Sequence, residues 1–294
     1  MLSGMNASST ALRLAKLHAT GNDFLVWTAL DPDVPPRMAE ALARALCDRH
    51  TGIGADGLIV LKPGTGGADA TMILHNADGR VAEMSGNGIR CLAWVAADEG
   101  FSGDHLVVDT GAGRRTVELD RRADGSVRSA TVDMGAVTFE PASIPIDAPS
   151  PFDLDAESHG VTYRGDAAGM GNPHFVCFVE DVDAVRVAEH GPHLETDPRF
   201  PRHTNVEFVA PDGPGALRMR VWERGVGETR SCGTGACAAA AVAHRRDLVG
   251  PRVIVRVPGG ELTVEVGTTI RLGGPVVHVF DVEVDPSAVT EVAS

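Results

Sequence analysis

Two glycine turns in this chain each open into a helix-forming run that is almost free of charge in its middle. Ser85-Gly86-Asn87-Gly88 leads into IRCLAWVAAD, and Cys232-Gly233-Thr234-Gly235 leads into ACAAAAVAHRR. A helix that is apolar on nearly every side has to be buried all round, so each of these needs other structure wrapped about it. The two turns also correspond in position: 232 minus 85 is an offset of 147, and the same offset carries Asn76 onto Glu223. An offset of 150, 172 minus 22, carries Gly21-Asn22 onto Gly171-Asn172. Chance matching of glycine turns explains one such correspondence poorly and three at nearly one spacing worse, so the pattern predicts a duplicated unit of about half the chain.

The remaining text supplies material for the wrapping. LRLAKLHA and DFLVW flank a Gly-Asn turn, and HLVVD, RTVELD, SATVDM, HFVCFV, LRMRVW, VIVRV, LTVEV and VVHVF are short apolar or alternating runs of the kind that form strands. PRMAEALARALC behind Pro36 repeats its apolar positions as one amphipathic helix. The expected fold is therefore α+β, with two pseudo-symmetric domains, each a β-sheet or barrel wrapped around a central helix. The boundary is expected near Met134, giving an N-terminal half 1–134 completed by a C-terminal strand within 276–294, and a second half 135–275.

Charge narrows the partners. Lys and Arg number 26 against 40 Asp and Glu, a balance of -14 that repels phosphate backbones and anionic lipid, so neither nucleic acid nor membrane is expected as a partner. No apolar run approaches the roughly 20 residues a spanning helix needs, and MLSGMNASST lacks the basic and apolar regions of a signal peptide; a cytoplasmic location is expected. Five cysteines, an odd number, argue against a disulfide framework. Most read as small buried hydrophobes, with Cys232 set apart by its place at a helix start.

The first turn of a helix leaves backbone N–H groups without partners and carries partial positive charge, which makes it an anion seat. One Ser before G-x-G is an ordinary N-cap, but two such turns in duplicated halves would face each other across the cleft where ligands tend to lie. Both helix starts would then hold one carboxylate, with Ser85 and Cys232 on opposite sides of its neighbouring carbon. A thiol at a helix N-terminus has its pKa lowered, so Cys232 is expected as a thiolate base. Two opposed bases on one Cα can invert it, one removing the proton and the other returning it, while the helix starts stabilise the developing charge. No P-loop, H-E-x-x-H or paired C-x-x-C is present, GIGADG lacks a dinucleotide-binding context, and the only lysines, Lys16 and Lys62, sit in no pyridoxal-phosphate context. No cofactor and no metal are expected.

KLHATGNDF, RHTGIGADG, HNADGRVAEMSGNGIRC, GMGNPHFV, TNVEF, WERGVGETRSCGTGACAAA and PGGEL, in this order from about Leu14 to Phe280, resemble the diaminopimelate epimerase family. The resemblance implies a pyridoxal-independent isomerase that interconverts LL- and meso-diaminopimelate on the route to lysine and peptidoglycan, and a homodimer is carried with it as the assembly. It further implies that Asn22, Asn76, Asn172 and Asn205 are substrate-binding amides, that Arg224 grips the distal carboxylate, and that Gly86-Asn87 and Gly233-Thr234 clamp the reacting one. Glu223 and His174 are implied as the groups flanking the catalytic pair. One position departs from the family pattern M-C-G-N-G: its first cysteine is Ser85 here. A hydroxyl is a far weaker acid than a thiol, so the chain reads as an engineered form or as a variant with one base altered. The alternatives that follow are a related amino-acid racemase, a dehydratase like those of the proline racemase group, or a non-catalytic amino-acid-binding protein.

Overall fold

The computed structural model describes residues 11–29 and 36–285; the polar leader, and residues 286–294 of the segment assigned to the N-terminal half, lie outside them. The chain begins with β1 (Leu12–Ala19), β2 (Asn22–Thr28), α1 (Pro36–Cys47), β3 (Gly57–Pro63), β4 (Ala70–Asn76), β5 (Val81–Ala82), α2 (Gly86–Asp98), β6 (His105–Thr110), β7 (Gly113–Arg121) and β8 (Val127–Asp133). It continues with β9 (Leu154–Ser158), β10 (Val161–Gly169), β11 (Pro173–Phe178), α3 (Val187–Glu195), β12 (Asn205–Pro211), β13 (Ala216–Glu223), β14 (Gly227–Thr229), α4 (Gly233–Arg245), β15 (Arg252–Val257), β16 (Gly260–Val266), β17 (Ile270–Pro275) and β18 (Val277–Val284).

The two series repeat one another strand for strand. β2 runs parallel to β3 across the crossover helix α1, and β11 runs parallel to β12 across α3. β4 runs parallel to β6 across α2, and β13 runs parallel to β15 across α4. Parallel neighbours need a crossover of this kind, because a tight turn cannot join them. The other pairings are antiparallel, and in order they read β18-β1-β2-β3-β4-β6-β7-β8 and then β17-β16-β15-β13-β12-β11-β10-β9. The two series meet where β8 pairs with β17, Val132 opposite Leu272. Each half is thus a sheet curled round its own helix, and the hydrogen-bonded ribbon passes from one wrap into the other without a break.

α2 and α4 sit inside these wraps. Ile89, Cys91, Leu92 and Ala93 of α2 and Ala236 to Ala240 of α4 are fully enclosed, and each large aliphatic side chain among them contributes roughly 1.5–3 kcal/mol by leaving water. The alanines of α4 also favour the helix and let the strands close tightly around it. On the outer faces, α1 covers β1, β2 and β3 with Ala39, Leu42, Ala43 and Leu46, and α3 covers β10 to β13 with Val187 and Leu194. α3 is not foreseen in the sequence because its VAEHGPHLE carries Gly191 and Pro192 in the helix itself. Gly191 is there for space: a β-carbon would lie 2.5 Å from the Trp222 ring. No helix among the described residues is long and apolar enough to cross a membrane.

Candidate active site

α2 and α4 begin at the same place from opposite sides. Ser85 (φ −136°, ψ 123°) and Cys232 (φ −119°, ψ 114°) are both extended N-caps, and each side chain accepts from the amide three residues on. Gly88 N donates to Ser85 Oγ at 3.0 Å, and Gly235 N donates to Cys232 Sγ at 3.4 Å. The amides of Gly86, Asn87, Gly233 and Thr234 precede the first intrahelical bonds and so have no partner within their helices. The two helix starts touch: a β-carbon at Gly233 would lie 3.4 Å from the Cα of Gly86. Either glycine would also drive a β-carbon into Leu272 Cδ2, to 2.7 Å from Gly86 and 2.9 Å from Gly233. Glycine at both positions is what permits the approach.

Cys232 is 5% exposed, its Sγ meets Thr234 Oγ1 at 3.5 Å, and the carboxylate of Glu223, the last residue of β13, lies close enough to act on it electrostatically. Burial, and then the negative charges of Glu223 and Glu207, push this thiol well above its ordinary value. The expected resting thiolate is therefore corrected: Cys232 rests as a thiol. A helix start offers about 0.3–2 kcal/mol to a charge, which is less than the several kcal/mol that desolvation of an ion costs, and two carboxylates oppose it further. Glu223 is itself raised, chiefly by burial, while Thr229 Oγ1 donates to its carboxylate. The result is a proton-holding pair, thiol beside carboxylate, at the head of α4.

His174 is held at both ring nitrogens by neighbouring side chains. Its Nδ1 meets Glu207 Oε1 at 2.7 Å and its Nε2 meets Asn172 Oδ1 at 2.8 Å, with both His174 and Glu207 fully enclosed. Glu207 was not singled out from the sequence, because it stands inside the apolar strand NVEFVAP. It lies directly under the first turn of α4, where a β-carbon at Gly235 would come within 2.6 Å of Oε1, and its Oε2 has no partner.

The asparagines are used in matched pairs. Asn87 Nδ2 donates to Asn22 Oδ1 at 3.1 Å in the first half, and Asn172 Nδ2 donates to Thr234 Oγ1 at 3.5 Å in the second. Asn22 also donates to Asp56 Oδ2 at 2.6 Å. Asn205 is a brace: it donates to Pro173 O and accepts from Arg224 N, both at 2.9 Å. Arg224 is exposed, with Nη1 donating to Arg202 O at 3.2 Å, and Asn76 is exposed at the end of β4 in the place that Glu223 holds at the end of β13. A cavity of about 580 Å³ lies elsewhere, over the β8–β17 junction, and its Arg128, Arg252 and Arg271 are already paired with carboxylates. The head-to-head helix starts are the candidate site.

The family model for diaminopimelate epimerase matches residues 14–140 and 167–277 of this chain. The diaminopimelate epimerase of Pelotomaculum thermopropionicum is 43% identical over 277 residues, covering 92% of this chain and 98% of that protein. That of Moorella thermoacetica is 43% identical over 275 residues with the same coverage. Among solved structures, a hydroxyproline epimerase from Agrobacterium vitis with bound trans-4-hydroxy-L-proline is similar with a TM-score of 0.71 at 22% identity, covering 96% of this chain and 94% of that one. A phenazine biosynthesis protein of Bacillus anthracis has a TM-score of 0.68 at 16% identity, covering 94% and 99%. These two likenesses are of fold.

Proposed function

This chain belongs to the diaminopimelate epimerase family, and from that premise we propose that it interconverts LL- and meso-diaminopimelate without pyridoxal phosphate, by proton transfer at Cα between the residues heading α2 and α4. The observation that carries this reading is the meeting of two helix starts whose N-caps are Ser85 and Cys232. The reacting carboxylate sits on the amides of Gly86, Asn87, Gly233 and Thr234. Glu223 takes the Cys232 proton, and the thiolate so formed removes the Cα proton. The electron pair of the broken C–H bond moves into the carboxylate, where the amides hold it as an oxyanion hole does. The proton for the far face comes from the Ser85 hydroxyl, which leaves an alkoxide. Ser85 Oγ bonds to Gly88 N and to no carboxylate or imidazole among the described residues, so this half of the cycle is the slow one.

His174 and Glu207 keep Asn172 and the head of α4 in place, Asn22 and Asn76 face the substrate from the first half, and Arg224 takes the distal carboxylate bidentately. The protein acts in the cytoplasm as a homodimer, and its two units are 1–134 with 276–294, and 135–275. The test is Cα deuterium uptake from each diaminopimelate isomer in heavy water. Uptake from at least one isomer is expected; binding without uptake from either would make the chain a binding protein, and absence of both would overturn the reading.

A further inference from the structure

Among the described residues Arg90 is 0% exposed, and no carboxylate forms an ion pair with it. Its Nε donates to Gly86 O at 3.1 Å, its Nη2 donates to Asn87 Oδ1, and its Nη1 has no partner. The ionisable groups facing it are the thiols of Cys91 and Cys237, both protonated because burial raises them. The slot for the guanidinium is opened by β17 of the other half: a β-carbon at Gly274 would fall 1.8 Å from Nη1. An enclosed cation without a counter-charge is strongly unfavourable unless something compensates it.

What Arg90 touches is the peptide that forms the anion seat. Accepting from Nε polarises the Gly86 carbonyl and so strengthens the N–H of Asn87 on the same peptide as a donor. Holding Asn87 Oδ1 directs its Nδ2 to Asn22 and, at 3.2 Å, to Ser231 O in the other half. The equivalent residue of α4, 147 positions on, is the uncharged Cys237, and beneath Gly88 stands Ile59 where Glu207 stands beneath Gly235. The cation therefore belongs to the Ser85 side alone.

We propose that Arg90 is a positioning residue for the epimerisation: it fixes and polarises the Gly86–Asn87 peptide, and the substrate carboxylate seated on that peptide is the counter-charge Arg90 lacks. This rests on the carboxylate position given under the proposed function. Arg90→Met and Arg90→Lys, compared with the unchanged protein, test it through calorimetric affinity for diaminopimelate and the rate of Cα deuterium uptake. Arg90→Met breaks no ion pair but leaves the buried Asn87 Oδ1 without its donor, so it should fold with a lowered thermal midpoint and lose roughly 10- to 100-fold in affinity, the scale for hydrogen bonds to a charged group, with a larger loss in uptake. Arg90→Lys should recover affinity through its charge and not the uptake rate, having no fork to hold Gly86 and Asn87 together. Arg90→Met binding and exchanging as the unchanged protein does would overturn the proposal. If Arg90→Met does not fold, full affinity and full uptake in Arg90→Lys would overturn it equally. An unchanged protein that binds no diaminopimelate overturns instead the function on which the proposal rests, and the proposal falls with it.

Discussion

Asn87 donates to Asn22 across 3.1 Å, tying the first turn of α2 to the hairpin between β1 and β2. The bond is one arm of a buried amide that also reaches Ser231 in the other half and accepts from Arg90. Replacing Asn87 by Ala removes the acceptor of an enclosed guanidinium, and leaving such a group unpaired costs about 1–3 kcal/mol. The corresponding Thr234→Ala loses only the long contact of 3.5 Å with Asn172 and a weak one with Cys232. Urea denaturation should show a clear loss for Asn87→Ala and under about 1 kcal/mol for Thr234→Ala. Equal losses would mean that the two arms are not used differently.

Ser85→Cys restores an ionisable group on the second face. General acid–base assistance is worth roughly 10² to 10⁴, so net epimerisation should rise by at least the lower figure. In heavy water the present chain should take up deuterium from one isomer only, and Ser85→Cys from both. Equal turnover by the two proteins would remove Ser85 from the reacting carbon.

Arg224 is exposed and its backbone, not its side chain, is what Asn205 holds. Arg224→Met should leave the denaturation midpoint unchanged and lower affinity for diaminopimelate by about 10-fold or more through loss of a charge-assisted pair. Lysine, which has no distal carboxylate, should bind weakly and equally to both forms. A diaminopimelate affinity insensitive to the change would take Arg224 out of the site.

Burial pushes the thiols of Cys47 and Cys91 up from an ordinary value of 9.0 to about 12. A group whose pKa is raised by folding keeps its proton in the native state while the unfolded chain releases it. Its contribution is therefore complete below pH 9 and is lost as pH rises toward 12. Cys91→Ala should lower stability at neutral pH through the cavity it leaves, yet flatten the alkaline fall by up to about 1.4 kcal/mol per pH unit, the value of one proton. Identical alkaline slopes in urea titrations of the two proteins would show that Cys91 ionises freely in the folded state.

The parts of the molecule that were legible in the sequence are those where composition and spacing carry the signal. α2 and α4 are announced by a small polar cap, two glycines and a nearly uncharged run, and most strands by short apolar segments between turns. α3 stayed hidden because Pro192 stands inside the helix, where proline normally breaks the pattern, while Gly191 is demanded by Trp222. In the site, the capping pair could be found because it is repeated. Glu207 and Arg90 could not, since a single charge in an apolar segment looks like a surface position until the fold encloses it. The thiolate expected for Cys232 failed for the same reason: a helix start is visible in the text, whereas the carboxylates of Glu223 and Glu207 that converge on the sulfur come from two other strands.

The pairing of β18 with β1, Val284 opposite Leu12, has a temporal side. A ribosome delivers the N-terminal half first, but the strand that covers β1 is the last of the described strands to be made, after β9 to β17 of the other half. Until Val277–Val284 emerges, β1 keeps one edge of backbone N–H and C=O groups open, an invitation to pair with another nascent chain. The two wraps therefore cannot mature one after the other as beads on a string do. A ribosome stalled before Val277 holds a first half that is unfinished, and the eight-residue strand Val277–Val284 is what covers the open edge of β1 and completes the wrap around α2.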